Sequence, residues 1–286
     1  MNRNHLGKRN LPVPVYIMIL MIVFFFIIVY PFTVDIHHPT DLTAINLKER
    51  LKPPSIFGIS DSGYLFGTDY LGRDIFARLL YATRTSLLVS FSGLILAGIL
   101  GTVLGVLAAY FGGVFDYAVI FVINVLYSIP GVLIGIVIAT IFGAGWQMML
   151  LLVVFTKWTG FARQIRGQVL QVKQEDFIEA SKAMGAGSIR IFFEHILVNV
   201  SSQIIVTATL NLSGIILLES TLSFLGLGIQ PPQTSLGVMV SSGRAQIITS
   251  WWLVTIPIIV IVIIVMSVSL IGDWLRDKLD PKLRNR

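Results

Sequence analysis

Few residues of this chain could do chemistry, because only 13% of its 286 residues are charged. The longest polar run is Glu175-Asp176-Phe177-Ile178-Glu179-Ala180-Ser181-Lys182-Ala183-Met184-Gly185-Ala186-Gly187-Ser188-Ile189-Arg190. Glu175 and Asp176 open it, where a helix N-terminus favours negative charge. Gly185 suits the left-handed residue that ends a helix, and Ser188 suits the cap of the next one. Phe177, Ile178, Ala180, Ala183 and Met184 can form one apolar side at helical spacing, and Glu179 and Lys182 can pair weakly at i, i+3. The pattern predicts about ten residues of helix, roughly 15 Å long, set between two apolar spans. Its chemistry is recognition: an apolar side and a carboxylate offered to another protein. An amphipathic helix lying on the membrane is the other reading that the same residues allow.

The remaining candidates are isolated. Glu219 ends an uncharged run, where an ionisable group either serves a pathway or hydrogen-bonds a neighbouring helix. Lys157 lies within or at the inner edge of another run, a costly place for an ammonium. Pro130 should kink its helix, as a structural bend or as part of a gate. His37 and His38 are adjacent, so on an extended chain their imidazoles point apart, and no metal site is read there. His195 is read as a hydrogen-bonding or capping residue at the start of a helix. The sequence contains no HExxH, GxSxG or Walker A pattern, so no catalytic residues and no cofactor are assigned.

These residues must be positioned by membrane helices. The chain is 55% hydrophobic with a mean hydropathy of +0.83, the composition of a polytopic membrane protein. It has no cysteine, which excludes disulfides and thiolate metal sites. Residues 1–10 are basic, and 11–34 carry no charge and suffice to span a bilayer; the run exceeds a signal-peptide core and no Ala-x-Ala site follows. Residues 35–84 form a polar loop with Pro53-Pro54. The loop leads through Phe66-Gly67-Thr68-Asp69-Tyr70-Leu71-Gly72-Arg73-Asp74 into an amphipathic stretch, Ile75 to Arg84, expected to lie in the outer interface. Residues 85–115 are uncharged, and so are 117–156, a run too long for one span that Gly143-Ala144-Gly145 divides. Residues 196–218 and 245–272 are uncharged as well. Gly101 with Gly105, and Gly131 with Gly135, give small-xxx-small faces for close helix packing. The reading is six transmembrane helices, the last five of them forming a core over 85–286.

The basic residues orient this topology. One side would hold Arg3, Lys8, Arg9, Arg163, Arg166, Lys173, Lys182, Arg190, Arg276, Lys278, Lys282, Arg284 and Arg286, 13 in all, against 7 on the other, with Lys157 in a span. Basic loops stay inside, so both termini and the 175–187 segment are expected in the cytoplasm. The same rule explains the net charge of +6 without invoking nucleic acid.

Several motifs, in order, resemble a known family. Glu179-Ala180-Ser181, then Gly185, then His195-Ile196-Leu197 resemble the EAA loop of ABC-importer permeases. The Phe66–Asp74 motif, Ala162-Arg163 with Arg166, Glu175-Asp176-Phe177, Leu222-Ser223-Phe224-Leu225-Gly226-Leu227-Gly228 with Pro231-Pro232, and Gly272-Asp273 through Leu279-Asp280-Pro281 resemble the second permease subunit of dipeptide, oligopeptide and nickel importers. The resemblance runs from about Phe66 to Arg284. It departs at Ser181, where alanine is usual, at Val198, where proline is usual, and at Leu236, where tryptophan is common.

The resemblance implies an all-α, type I ABC importer permease fold in the bacterial cytoplasmic membrane. It implies a homologous permease partner, two ATP-binding subunits that carry the hydrolysis, and an extracytoplasmic substrate-binding protein. It makes the 175–187 segment the coupling helix, with Glu175, Asp176, Phe177, Glu179, Ala180, Ser181, Met184 and Gly185 at the ATPase contact. Peptides and nickel or metal chelates are the cargoes that it allows. The competing class is an ion-coupled transporter independent of an ATPase, which needs ionisable residues deep in its spans; here only Lys157 and Glu219 come close.

Overall fold

The computed structural model describes residues 45–56, 58, 63–187 and 190–279. The expected first span at 11–34, the basic N-terminus, Ser188 and the tail beyond 279 lie outside the described residues. Helices dominate: α1 (Ile75–Phe111), α2 (Gly113–Ser128), α3 (Gly131–Phe142), α4 (Trp146–Val172), α5 (Asp176–Ala183), α6 (Leu197–Phe224), α7 (Leu236–Gly243) and α8 (Trp252–Leu279). A π-helical turn, Ile191–Ile196, runs into α6 without a break, both flanking residues being helical. Only one isolated β-bridge, Thr68 to Asp74, occurs among the described residues.

Three of these helices are long and apolar enough to cross a membrane: α1, the helix from Glu194 to Phe224 that contains α6, and α8. A fourth crossing is available if α2 and α3, bent by 92° at their junction, count as one broken span. α4 is about 40 Å long at the usual helical rise, but Lys157, Arg163 and Arg166 interrupt its apolar character.

The structure redraws four sequence expectations. Ile75 to Arg84 is no separate interfacial helix; it is the start of α1, because no glycine or proline interrupts the chain between Asp74 and the apolar run that follows Arg84. Asp74 caps that helix, its carboxylate accepting from the Phe76 N–H at 2.9 Å. Pro130 does more than kink a helix: α2 ends at Ser128 and Pro130 sits at the cap of α3, so the axis turns by 92°. Between Pro231-Pro232 and the last span, a stretch that the six-span reading leaves without a helix, α7 forms; the Ser235 hydroxyl accepts from the Val238 N–H at its start. The last helix continues beyond Gly272 to Leu279.

Helix packing follows the small residues. α1 and α4 run side by side and parallel. A methyl group at Gly101 would lie 2.3 Å from the Trp158 carbonyl oxygen, and one at Gly105 would lie 2.5 Å from that of Ala162. Only glycine permits this approach. The second small-residue pair is less equal: a methyl at Gly135 would meet Leu222 at 2.8 Å, whereas Gly131 only grazes Leu218. α6 runs antiparallel to α4, and α8 antiparallel to α6, where the Ser213 and Ser269 hydroxyls meet at 3.0 Å. A central apolar cluster joins α1, α6, α7 and α8 through Ile75, Leu79, Ile215, Leu236, Met239 and Ile256.

Candidate coupling and translocation sites

At one end of the bundle the chain leaves α4 through a tight turn and builds α5. Lys173, just past α4, donates from Nζ to the Ala109 carbonyl at 2.9 Å, placing a cation on the last carbonyls of α1 where the helix dipole favours it. Arg166 grips Asp116 of α2 through two parallel bonds of 2.5 Å, a bidentate geometry that fixes position as well as charge. This hydrogen-bonded ion pair ties α2 to α4 close to α5.

α5 is eight residues long. Glu175 occupies the cap position in extended backbone, without a capping side-chain bond. The helix ends in a Schellman motif: the Ala186 N–H donates to the Ser181 carbonyl and the Gly185 N–H to the Lys182 carbonyl, at 3.0 and 2.9 Å. Gly185 carries φ = +83°, a conformation that a residue with a Cβ adopts only at a cost.

The apolar residues of α5 do not share one side. Ile178 is buried, 1% exposed, among Val106, Ala109, Ile165, Val169, Ile191 and Ile196. Ser181, one turn on, faces the same way; its Oγ donates to the Phe177 carbonyl at 2.7 Å and meets His195 Nε2 at 3.2 Å. Phe177 also leans on the His195 ring, with centroids 5.7 Å apart, yet stays 40% exposed. Ala180, Ala183 and Met184 are exposed, Met184 at 81%.

 Glu175, Asp176, Glu179 and Lys182 are exposed too, and no Glu179–Lys182 ion pair forms among the described residues. α5 therefore has an inner edge, Ile178 and Ser181, that pins it, and an outer stripe, Phe177, Ala180 and Met184, at i, i+3 and i+7. Sequence reasoning missed the inward turn of Ser181. The signal was its i+3 spacing from Ile178, together with His195 beyond the turn.

At the opposite end of the bundle, Glu219 of α6 is fully buried. The Ser223 Oγ donates to its Oε1 at 2.8 Å and the Ser220 Oγ to its Oε2 at 3.4 Å. The hydroxyls of Ser86, on α1, and Ser235, at the cap of α7, complete the ring. Ser86 is doubly engaged, since its Oγ accepts from the Leu236 N–H at 3.2 Å. A buried carboxylate is tolerable only when its lone pairs are met in this way. The cluster sews α7 onto α1 and α6, and its serines were not singled out in the sequence because serine alone carries little signal.

Pro130 and Glu219 do not converge. Pro130 is exposed beside the α6 face that carries Leu218, whereas Glu219 turns toward α1 and α7. Lys157 is half-buried where α4 crosses α6. Its Nζ occupies the space left by Gly214, 3.6 Å from where a Cβ would stand, and it has no carboxylate partner among the described residues. It belongs to a polar seam: one turn along, Gly160 faces the Asn211 side chain and the Tyr127 hydroxyl, and beyond it Thr207 Oγ1 donates to Gln164 Oε1 at 2.6 Å.

Comparison with known proteins fits this architecture. Residues 101–285 match the family described as binding-protein-dependent transport system inner membrane component. The dipeptide transport system permease protein of Haemophilus influenzae is 38% identical over 246 residues, covering 86% of this chain and 83% of that one. The corresponding protein of Bacillus subtilis is 37% identical, covering 97% and 84%. The glutathione transport system permease protein of Pectobacterium atrosepticum is 37% identical, covering 78% and 74%. Among solved structures, a chain of the MetNI methionine ABC transporter in inward-facing conformations superposes with a TM-score of 0.59 at 19% identity, covering 72% of this chain and 98% of that chain; that likeness is one of fold. The chain belongs to the binding-protein-dependent transport system inner membrane component family and is an importer permease.

Proposed function

We propose that this chain is one of two homologous permease subunits of an ATP-driven importer of small peptides. It performs no bond chemistry itself. Two ATP-binding subunits drive it from the cytoplasm and a substrate-binding protein delivers cargo from the other side. It crosses the cytoplasmic membrane six times, with both termini and α5 inside. The two-edged character of α5 is the observation that carries this reading. A helix pinned by Ile178 and Ser181 moves with its own bundle, while the exposed stripe of Phe177, Ala180 and Met184 with Glu179 is left for a partner's groove. A charge-assisted hydrogen bond from the partner to Glu179 would add about 1.5–3 kcal/mol. The relatives named as dipeptide permeases support peptide as the cargo.

The test is co-purification of the ATP-binding subunits together with peptide uptake. Gly185→Val forces a β-branched residue to φ = +83° and should misdirect α5. Glu179→Lys reverses the exposed charge. Each variant is expected to insert normally and to lose uptake. Normal uptake in both would reduce α5 to a surface helix.

A further inference from the structure

Midway along α4 stands a charge that no other described residue balances. α4 runs from Trp146 to Val172, so Lys157 lies roughly 16 Å from one end and 22 Å from the other at the usual helical rise. A snorkelling side chain reaches neither end. The depth agrees with this placement: the next residue, Trp158, packs its carbonyl against Gly101, inside the uncharged run 85–115. Lys157 is partly exposed, and its Nζ lies beside the notch left by Gly214. It makes no hydrogen bond or ion pair among the described residues. Unlike Ser90 Oγ and Thr102 Oγ1, Nζ is unpaired without being enclosed, so it opens onto the surface of the bundle.

The surface around Lys157 stays polar over two turns. At Gly160 the Asn211 Oδ1 and the Tyr127 hydroxyl lie 3.4 and 3.5 Å from where a Cβ would stand, so α2, α4 and α6 meet there. One turn further on, the Arg163 guanidinium sits over the Tyr127 ring at 4.5 Å and donates to Asn124 Oδ1 at 2.8 Å. Tyr127, Arg163 and Gln164 are exposed. The exposed face of α1 around Gly101 is different in kind: Ile95, Leu96, Ile99, Leu100 and Val103 are all apolar, as contact with lipid tails requires. An exposed cation at that depth faces water or a polar partner instead. Both ionic side chains of the seam, Lys157 and Arg163, are cations, and Asp116 of α2 is already held by Arg166. The seam therefore suits an anionic group.

We propose that the seam of α2, α4 and α6 is a water-lined wall of the translocation pathway, where the Lys157 ammonium receives the carboxylate of a passing peptide. The proposal rests on the peptide-importer reading above. It commits to the cargo rather than to an acidic residue of the second permease subunit. A fixed ion pair between subunits needs one polar position, whereas this face of α4 stays polar from Lys157 to Gln164, roughly 10 Å of helix. A partly hydrated contact also suits transit, because cargo must leave the site as well as enter it.

The chain has no cysteine, so Asn211→Cys places one thiol in the seam and Ile99→Cys one on the apolar face of α1. Gln164→Cys serves in place of the first if that variant does not assemble. The complete importer in lipid nanodiscs, without its binding protein, is treated with an anionic or a cationic methanethiosulfonate, and mass spectrometry follows each thiol. The thiol at position 211 is expected to react and the one at position 99 is not, because a thiol in hydrocarbon does not ionise. Lys157→Met keeps the apolar stem and removes the charge. It should lower the anionic-to-cationic rate ratio at position 211 by about tenfold, and Lys157→Arg should restore it. Glycylglycine should slow modification, glycylglycinamide should not, and Lys157→Met should abolish the protection. An unreactive thiol at position 211, equal protection by the amide, or protection that survives Lys157→Met would each overturn the proposal. Separation of the two permease subunits in Lys157→Met would also overturn it, by assigning the ammonium to the second subunit. Import by the Asn211→Cys importer without protection removes the site and leaves the importer, whereas a wild-type importer that moves no peptide removes the reading beneath it.

Discussion

Glu219 shows how one residue can be expensive and stable at once. Its carboxylate is out of water and meets four serine hydroxyls, contributed by α1, α6 and the cap of α7. Replacing it by Gln keeps the shape and one acceptor, and the serine hydroxyls can rotate to accept from the new amide. Glu219→Gln should therefore assemble normally and import several-fold more slowly. Glu219→Ala leaves the hydroxyls facing a void, with a penalty of about 1–3 kcal/mol for each group left unsatisfied. That variant should lose thermal stability in detergent before it loses anything specific to transport. A Gln variant that fails to assemble would mean that the charge itself, rather than the hydrogen-bonded shape, holds α7. The sequence exposed Glu219 because charge is rare in an apolar run. It hid Ser86 and Ser235, since a serine's worth depends on its partner, and Glu219 lies on a different helix from either of them.

At the scale of elements, legibility follows how local the cause is. The end of α5 was legible because φ > 0 at Gly185 is a requirement of one residue and its immediate neighbours. The close seam of α1 and α4 was legible as a spacing, Gly101 and Gly105, though not as a partner. The 92° turn at Pro130 was legible as an interruption but not as an angle, because the angle is set by where α3 can pack, with Gly135 against Leu222 and Leu152. α7 left no trace, since eight uncharged residues among membrane spans offer no polar face from which to read a period. The glycine seam makes a direct prediction. In Gly105→Val the new Cβ would stand 2.5 Å from the Ala162 carbonyl oxygen and 3.0 Å from its Cα. Both are main-chain atoms that cannot swing aside, so α1 and α4 must separate along their length. The variant should elute as aggregate in size-exclusion chromatography. Gly167→Val on α4, where a Cβ meets nothing within 4 Å, should elute as the wild type does.

The whole molecule is ordered by direction. Glycine contacts set α4 parallel to α1, and Glu219 near Ser86 sets α6 antiparallel to α1, so the α5 end collects the C-termini of α1 and α4 and the N-terminus of α6. The other end collects the loop around Thr68, whose carbonyl accepts from Trp252 Nε1 at 3.4 Å, and the turn that carries Ile248. Counted over the whole sequence, with both termini assigned to the α5 end, the basic residues divide 13 to 7, and by the positive-inside rule the proposed topology puts the α5 end in the cytoplasm. Two positions suit a test because both project freely: Met184, 81% exposed at the α5 end, and Ile248, 94% exposed at the other. With no native cysteine, Met184→Cys and Ile248→Cys each give one thiol. In right-side-out vesicles a membrane-impermeant maleimide should label the thiol at position 248 at once and the one at position 184 only after permeabilisation. In inverted vesicles the order should reverse. Labelling of both from one face would break the proposed topology and remove α5 from the reach of any cytoplasmic ATPase.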